Sequence, residues 1–360
     1  MNAPLAYPHE TPPAPGAAVS VAPGVEWLCM PLPFALNHIN LWLLEDGVSS
    51  DEGYAAVDTG IALDAVKEAW KSALATRRLT RSIVTHFHPD HLGLAAWLEQ
   101  ETGAQLWMSQ GEYLTAQLVA EQIGNYSVPA MLALFRRHGL NEAALGALAA
   151  RGNAYRRNVP AIPTTYHRLF ANQILPIGKH QWRTIVGYGH APEHMSLYCA
   201  ELGVLISGDM LLPRISTNVS VMATDPLGDP LHLFLDSIDA LRALPADTLV
   251  LPSHGRPFRG LHARVDQLQA HHAERCDVLL AACGSDAKSA AELLGALFGR
   301  EITDPHQTLF AMGEAIAHLN YLQNTGKMQR IDEHDITRYR ASVATTASTT
   351  NATVVTIVTN

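Results

Sequence analysis

Short apolar runs divided by turn residues fill the early part of the chain. Val25–Pro31, Ile39–Glu45 and Tyr54–Asp58 read as strands, separated by Glu45-Asp46-Gly47 and Asp51-Glu52-Gly53. From Ile61 the period changes. Leu63, Val66, Ala69, Trp70 and Leu74 recur at helical spacing and predict a helix over 61–79. Ser82–Thr85 reads as a strand, His86–His91 as a loop, Leu92–Gln100 as a helix and Gln105–Met108 as a strand. Strands resume at Gln173–Leu175, Trp182–Val186, Met195–Ala200 and Val204–Ser207. A helix over Pro230–Leu244 and a strand over Thr248–Pro252 follow. This alternation places the chain in the α/β (α+β) class. The two β-rich halves suggest a pseudo-duplication, without a clean sequence repeat.

Residues 111–170 are Ala- and Leu-rich and predict an inserted helical cap. Past Gly260 the pattern is helix (Leu261–Cys283), helix (Lys288–Phe298), helix (His306–Asn324) and a hairpin within Lys327–Tyr339, the order of a winged-helix unit. The expected organisation is a flexible Pro-rich lead-in (1–23), a main domain (24–260) carrying the cap, a C-terminal domain (261–340) and a low-complexity, uncharged tail (341–360).

Composition narrows the function classes. With 360 residues, 48% hydrophobic and 16% charged, the chain can bury a full core. A net charge of -9 argues against a general phosphate-backbone binder. Cys29, Cys199, Cys276 and Cys283 form no CxxC pair and are expected to be reduced and buried, in keeping with a cytoplasmic location. The start lacks basic residues ahead of an apolar core, and no apolar run reaches the ~20 residues that span a bilayer, so neither a secretory signal nor a membrane span is expected. Eighteen histidines against four cysteines favour imidazole and carboxylate metal sites over thiolate ones.

The strongest chemical signal is His86-Phe87-His88-Pro89-Asp90-His91. Residues two apart on an extended segment point to the same side, so His86 and His88 can grip one ion. A turn at Pro89 redirects Asp90 and His91 towards a second. Four such groups buried side by side without a ligand would cost several kcal/mol. Further donors follow strand ends: Gly189-His190-Ala191-Pro192-Glu193-His194, Ser207-Gly208-Asp209 and Pro252-Ser253-His254-Gly255.

H-x-H-x-D-H, G-H-x-P-x-H, S-G-D and S-H-G, in that order, resemble the metallo-β-lactamase superfamily. The likeness is greatest to the glyoxalase II-like branch with a C-terminal winged-helix appendage. It spans about 25–340 and includes the Asn40-Leu-Trp-Leu strand and the Asp58-Thr-Gly turn. It implies an αββα four-layer sandwich with two metal ions at one edge, zinc first, with iron or manganese as alternatives. Carried over, His86, His88 and His190 would hold one ion and Asp90, His91 and His254 the other. Asp209 would bridge both together with a water or hydroxide. Asp90 would orient the nucleophile or accept its proton, while Asp58 and His194 would buttress the ligands. Glu193 departs from the pattern, standing where the family usually has glycine.

The expected activity is a binuclear hydrolase that uses the hydroxide to cleave an ester, thioester or lactone of a small anionic substrate. The cap arginines Arg136, Arg137, Arg156 and Arg157, with Arg214, are the expected anchors. The alternative is an endoribonuclease or phosphodiesterase acting on single-stranded RNA. Between 287 and 341, six basic residues face seven acidic ones, which argues against nucleic acid as a partner. The apolar face of the helix over 306–324 suits packing on the main domain or a homodimer through the C-terminal domain.

Overall fold

A computed structural model of the protein describes residues 4–34, 36–47 and 53–342. The expected turn residues Asp51 and Glu52, and the tail from 343 onwards, lie outside them.

Two mixed sheets face each other. The first runs in chain order: β1 (Ala18–Ala22), β2 (Val25–Pro31), β3 (His38–Glu45), β4 (Tyr54–Val57), β5 (Leu79–Ile83), β6 (Gln105–Ser109) and β7 (His167–Leu169). Its first four strands pair antiparallel and the rest parallel. The parallel steps need crossovers. These are α1 (Asp64–Ala73), then α2 (Pro89–Leu92) with α3 (Ala95–Thr102), then the cap helices α4 (Gln110–Ala120), α5 (Val128–Arg137), α6 (Glu142–Ala150) and α7 (Ala154–Asn158).

The second sheet has the order β12-β11-β10-β9-β8. Its strands are β8 (Ile174–Ile177), β9 (His180–Gly187), β10 (His194–Cys199), β11 (Val204–Gly208) and β12 (Leu249–Pro252), and α8 (Pro230–Ala240) carries the chain from β11 to β12. The chain ends with α9 (Leu261–Cys283), α10 (Ala290–Phe298), α11 (Pro305–Asn324) and the hairpin β13 (Met328–Glu333) and β14 (Ile336–Ala341).

The alternation of strand side chains builds the layers. On β2, Val25 and Trp27 enter the core between the sheets, where Trp27 stacks on Trp42 and both meet Trp182 and Leu197. Leu28 and Met30 point the other way, to Trp70 of α1 and Leu98 of α3. A strand covered on both faces reads as a continuous apolar run, which is why β2 and β3 were so plain in sequence. On the outer face of the second sheet, Leu205 and Val250 meet Phe234 of α8 and Val265 of α9. The result is the expected αββα sandwich.

Three expectations need correction. The lead-in is partly ordered: β1 pairs with β2, and Ala6 and Arg259 exchange backbone hydrogen bonds. The helix foreseen over 61–79 ends at Ala73, because Arg77 turns back to an ion pair with Glu26 at 3.1 Å and the chain enters β5 at Leu79. The loop foreseen over 86–91 becomes helical at Pro89, whose fixed φ suits a first helical turn. The cap also does not stand alone. Leu134, Phe135, Leu145 and Leu148 share one core with Leu294, Met312 and Tyr339 of the C-terminal helices and hairpin.

Candidate metal centre

The histidine loop hangs from a buried hub. Asp58 follows β4 at φ 64°, a left-handed conformation that asparagine and aspartate tolerate better than most residues. From there its carboxylate accepts the Thr85 amide (2.8 Å), the Thr85 hydroxyl and Nδ1–H of His91 (2.7 Å). Thr59 donates its amide and hydroxyl to the His91 carbonyl. Asn40 holds the opposite loop: its Nδ2 donates to the carbonyls of Pro252 and Gly255, and its Oδ1 accepts Trp27 Nε1–H. Residues 212 positions apart are thus pinned before any donor is considered.

These clamps set the tautomers. Nδ1–H of His190 donates to the Asn218 carbonyl (2.7 Å), and that of His254 to the His38 carbonyl (2.9 Å). The Thr85 hydroxyl, which donates to Asp58, accepts Nδ1–H of His86 (3.0 Å). In each ring, Nε2 is left with a bare lone pair. His86 Nε2 then lies 2.9 Å from His88 Nδ1 and 3.1 Å from His190 Nε2. Lone pairs facing at such distances are reconciled by a shared cation.

The second trio is looser. His254 Nε2 is 3.4 Å from Asp90 Oδ2, and His91 Nε2 is 3.6 Å from the same oxygen. Asp209 stands between the trios. Its Oδ2 is 3.5 Å from His190 Nε2, while its Oδ1 is 3.6 Å from His254 Nε2 and 3.7 Å from His91 Nε2. His91 Nε2 and Asp209 Oδ1 are buried and have no hydrogen-bond partner among the described residues. The donor set fits divalent ions on both counts: facing lone pairs and partnerless buried atoms.

The electrostatics agree. Burial, reinforced by neighbouring imidazoles, drives His86 well below its usual value and His88 down to about 3. Burial also opposes charging His91, but Asp58, Asp90 and Asp209 outweigh it and hold that ring well above its usual value. For Asp90 burial acts upward, yet His91 and His254 bring it down to about 2. The first trio is thus held in the neutral form a metal needs, His190 being lowered by burial as well. In the second, burial acts downward but the carboxylates raise His254 as they raise His91, so an ion would take the place of a ring proton there.

His194, at the start of β10, stands apart from the donors. Its Nε2 accepts the Asp209 amide at 3.1 Å. Gly208 makes this approach feasible: at φ 54°, a Cβ there would fall 2.3 Å from His194 Nε2. Glu193 turns away from the metals and accepts the Gly111 amide at 2.8 Å.

Two positioning groups escaped sequence reasoning. Glu112, in the first turn of α4, is fully buried and joins the two ligand loops, accepting the amides of Phe87 (2.9 Å) and Glu193 (2.6 Å). Burial lifts its carboxyl to about 8. Asn218, whose carbonyl orients His190, donates Nδ2 to Glu314 of α11 at 3.2 Å. Neither residue belongs to a motif. The one available signal for Glu112 was a carboxylate at the N-terminus of a helix.

The expected anchors are placed otherwise. Arg136 pairs with Glu142 (2.7 Å), Arg137 with Asp332 of β13 (3.4 Å) and Arg156 with Glu121 (3.4 Å). Arg157 donates to the Arg151 carbonyl at 2.7 Å. These four close the last turns of α5 and α7, where cations meet the helix dipole. They stitch the cap rather than aim at the donors. Arg214 is exposed in the loop after Asp209. An aromatic group joins the loop before β3 to α11. Phe34, in the loop leading to His38, stacks on His306 (5.1 Å), which accepts Arg151 at 2.9 Å and abuts Phe310.

Imidazole and carboxylate donors gathered at one sheet edge, in a set that would hold divalent ions, define a metallohydrolase. A model of the metallo-beta-lactamase superfamily matches residues 36–254, and one of a metallo-beta-lactamase-like C-terminal domain matches residues 276–342. The chain belongs to the metallo-beta-lactamase superfamily. Its structure is similar to that of a beta-lactamase domain protein from Burkholderia ambifaria, at 44% identity over 94% of this chain and 98% of that one, with a TM-score of 0.87. It is 28% identical over 229 residues to a linear primary-alkylsulfatase of a Pseudomonas strain, covering 59% of this chain and 41% of the relative. It is 38% identical over 90 residues to a hydroxyacylglutathione hydrolase of Pseudomonas aeruginosa, covering 25% of this chain and 33% of the relative. The chain thus spans less than half the length of these two enzymes. Among the described residues, no helix is long and apolar enough to cross a membrane.

Proposed function

We propose that the protein is a binuclear hydrolase of a small ester or thioester, with zinc as the leading metal and iron or manganese as alternatives. The observation that carries this reading is Asp209, whose two oxygens face the two donor trios. His86, His88 and His190 would hold one ion and Asp90, His91 and His254 the other. When bound, two such ions supply a water acidified towards neutrality and an electrophile for the oxygen of the bond under attack. The chain's own part is to orient. Asp58, Asn40 and the Asn218 carbonyl fix the rings and loops, and Asp90, exposed enough to meet solvent, is placed to receive a proton.

Exposed Phe34 and Ile215, in the loops that lead to His38 and follow Asp209, support a substrate with an apolar or aromatic portion. With Arg136, Arg137 and Arg156 in ion pairs and Arg157 on a backbone carbonyl, an anionic group is not demanded. The hydroxyacylglutathione hydrolase match supports a thioester; the longer alkylsulfatase match supports a second reading, hydrolysis of an alkyl sulfate ester. The discriminating experiment compares kcat/KM for S-acyl glutathiones, aryl and alkyl esters, lactones, alkyl sulfates and single-stranded RNA at fixed metal and salt. Carboxylic esters or thioesters are expected to lead. A tenfold lead for a sulfate ester or for RNA overturns the assignment of substrate class while leaving the metal centre intact.

A further inference from the structure

A second group of ligating side chains lies at the other end of the second sheet. His180 opens β9, Cys199 closes β10, and Glu201 follows in the β10–β11 turn. β10 runs from His194 beside the metal centre to Cys199, five steps of about 3.3 Å, so the two ends are about 17 Å apart. β9 and β10 pair antiparallel with Tyr198 opposite Arg183, and continuing that register sets Glu201 opposite His180. Alternation puts His180 on the face of Trp182, and Glu201 on the face of Cys199. Trp182 and Cys199 both belong to the core between the sheets, so the three side chains converge at its rim.

Their donor atoms converge as well. His180 Nδ1 is 2.8 Å from Glu201 Oε2, and one ring nitrogen and one carboxylate oxygen lie within 4.8 Å of Cys199 Sγ. The sulfur is buried at the bottom, the imidazole is a quarter exposed and the carboxylate about half exposed, so an ion reaches the group from solvent. The backbone amides of Glu201 and Leu202 act on the Cys199 sulfur in the direction that favours the thiolate. Two amides aimed at one sulfur serve a metal thiolate better than a neutral thiol, since hydrogen bonds to an anionic acceptor are the stronger ones.

We propose that His180, Cys199 and Glu201 form a third metal site, separate from the hydrolytic centre, that takes one zinc(II) ion with water as the fourth ligand. One imidazole, one thiolate and one carboxylate suit a tetrahedral ion of borderline softness; magnesium or calcium would leave the sulfur unused. Binding forms the sulfur–zinc bond as the thiol proton leaves to solvent, so affinity rises with pH. Burial, which holds the Cys199 thiol above its usual range, is the cost the ion must offset. Occupancy would staple the β8–β9 turn to the β10–β11 turn. The proposal is independent of the substrate reading above.

The test uses the full-length protein, stripped with a chelator and titrated anaerobically with cobalt(II). None of the seven donors of the hydrolytic centre is sulfur, so a near-ultraviolet thiolate-to-cobalt charge-transfer band reports this site alone. The band is expected in the wild type and lost in Cys199→Ser. His180→Ala and Glu201→Gln are expected to weaken the cobalt titration followed by that band at least tenfold, while hydrolysis and the remaining metal content stay unchanged. These two substitutions lie at partly exposed positions and carry the decision should Cys199→Ser fail to fold. A folded, cobalt-loaded wild type without the band overturns the proposal. So does a band that survives Cys199→Ser, or an unchanged titration in His180→Ala.

Discussion

Asp209 is the residue through which the two donor trios meet, and its replacement tests the binuclear reading directly. Asp209→Ala removes both oxygens that face the trios. In a His180→Ala background, which weakens the third site, elemental analysis of the purified variant is expected to find at most one ion per chain, against two for the parent. Activity is expected to fall by more than the about 10–100-fold that loss of an outer hydrogen-bond partner costs. Asp58→Ala belongs to that second class. It frees Nδ1 of His91 and three contacts to Thr85, and its metal affinity is expected to drop about 10–100-fold with the fold retained. His194→Ala should keep both ions and lose part of the rate, because His194 holds the Asp209 amide and contributes no donor. If Asp209→Ala keeps two ions and His194→Ala loses one, the assignment within these loops is wrong.

At the scale of elements, the strand ends decide where chemistry happens, and Gly208 closes β11 at a tight one. Gly208→Ala forces a left-handed alanine, at about 1–2 kcal/mol, and drives a methyl group into His194. Reduced metal content and rate are expected, with an unchanged circular dichroism spectrum. The strands that carry such ends were plain in sequence because both of their faces are buried. The metal loops were plain because several donors crowd into six residues. What was not legible depends on partners distant in the chain. Glu112 looks like a routine N-terminal helix acid until folding brings Phe87 and Glu193 onto it. Asn218 is one loop asparagine among several until its carbonyl meets His190. β1 and β7 are short edge strands with little alternation, and the cap arginines found acids that no local spacing announces.

The whole molecule is held together across its expected boundary near residue 260. Phe234, Phe258, Leu279, Met312 and Tyr339 lie in one core with the cap residues Phe135 and Leu148. A chain truncated after Gly260 exposes that core and is expected to be insoluble or unfolded by circular dichroism. Met312→Ala, within the full chain, should cost about 2–5 kcal/mol in urea unfolding.

The same core region gives stability a pH dependence. Burial raises Glu314 from 4.5 to about 7, so between those values the folded state holds a proton that the unfolded state has released. That contribution is present below pH 4.5 and is lost as the pH rises to about 7. His272 and His318 act in the opposite sense. Burial lowers them to about 3 and about 4, so their contribution is present above pH 6.5 and is lost as the pH falls towards those values. Urea unfolding of the chelated protein from pH 4 to 8 should show both limbs. Glu314→Gln should flatten the decline between pH 4.5 and 7 and leave the acid limb in place. An unaltered decline in that variant assigns it to other groups, Glu112 first among them.

The spread of the donors along the chain also orders events in time. His86 and His88 leave the ribosome 168 and 166 residues ahead of His254, an interval of roughly 10–30 s at typical synthesis rates of about 5–20 residues per second. Asp209 and Asn218 emerge only late in that interval and the loop of His254 at its end, so for most of it the nascent chain displays the two imidazoles without these partners. On the binuclear reading, metal choice is therefore expected to be settled after translation has passed His254, by the finished cage and the ions then at hand.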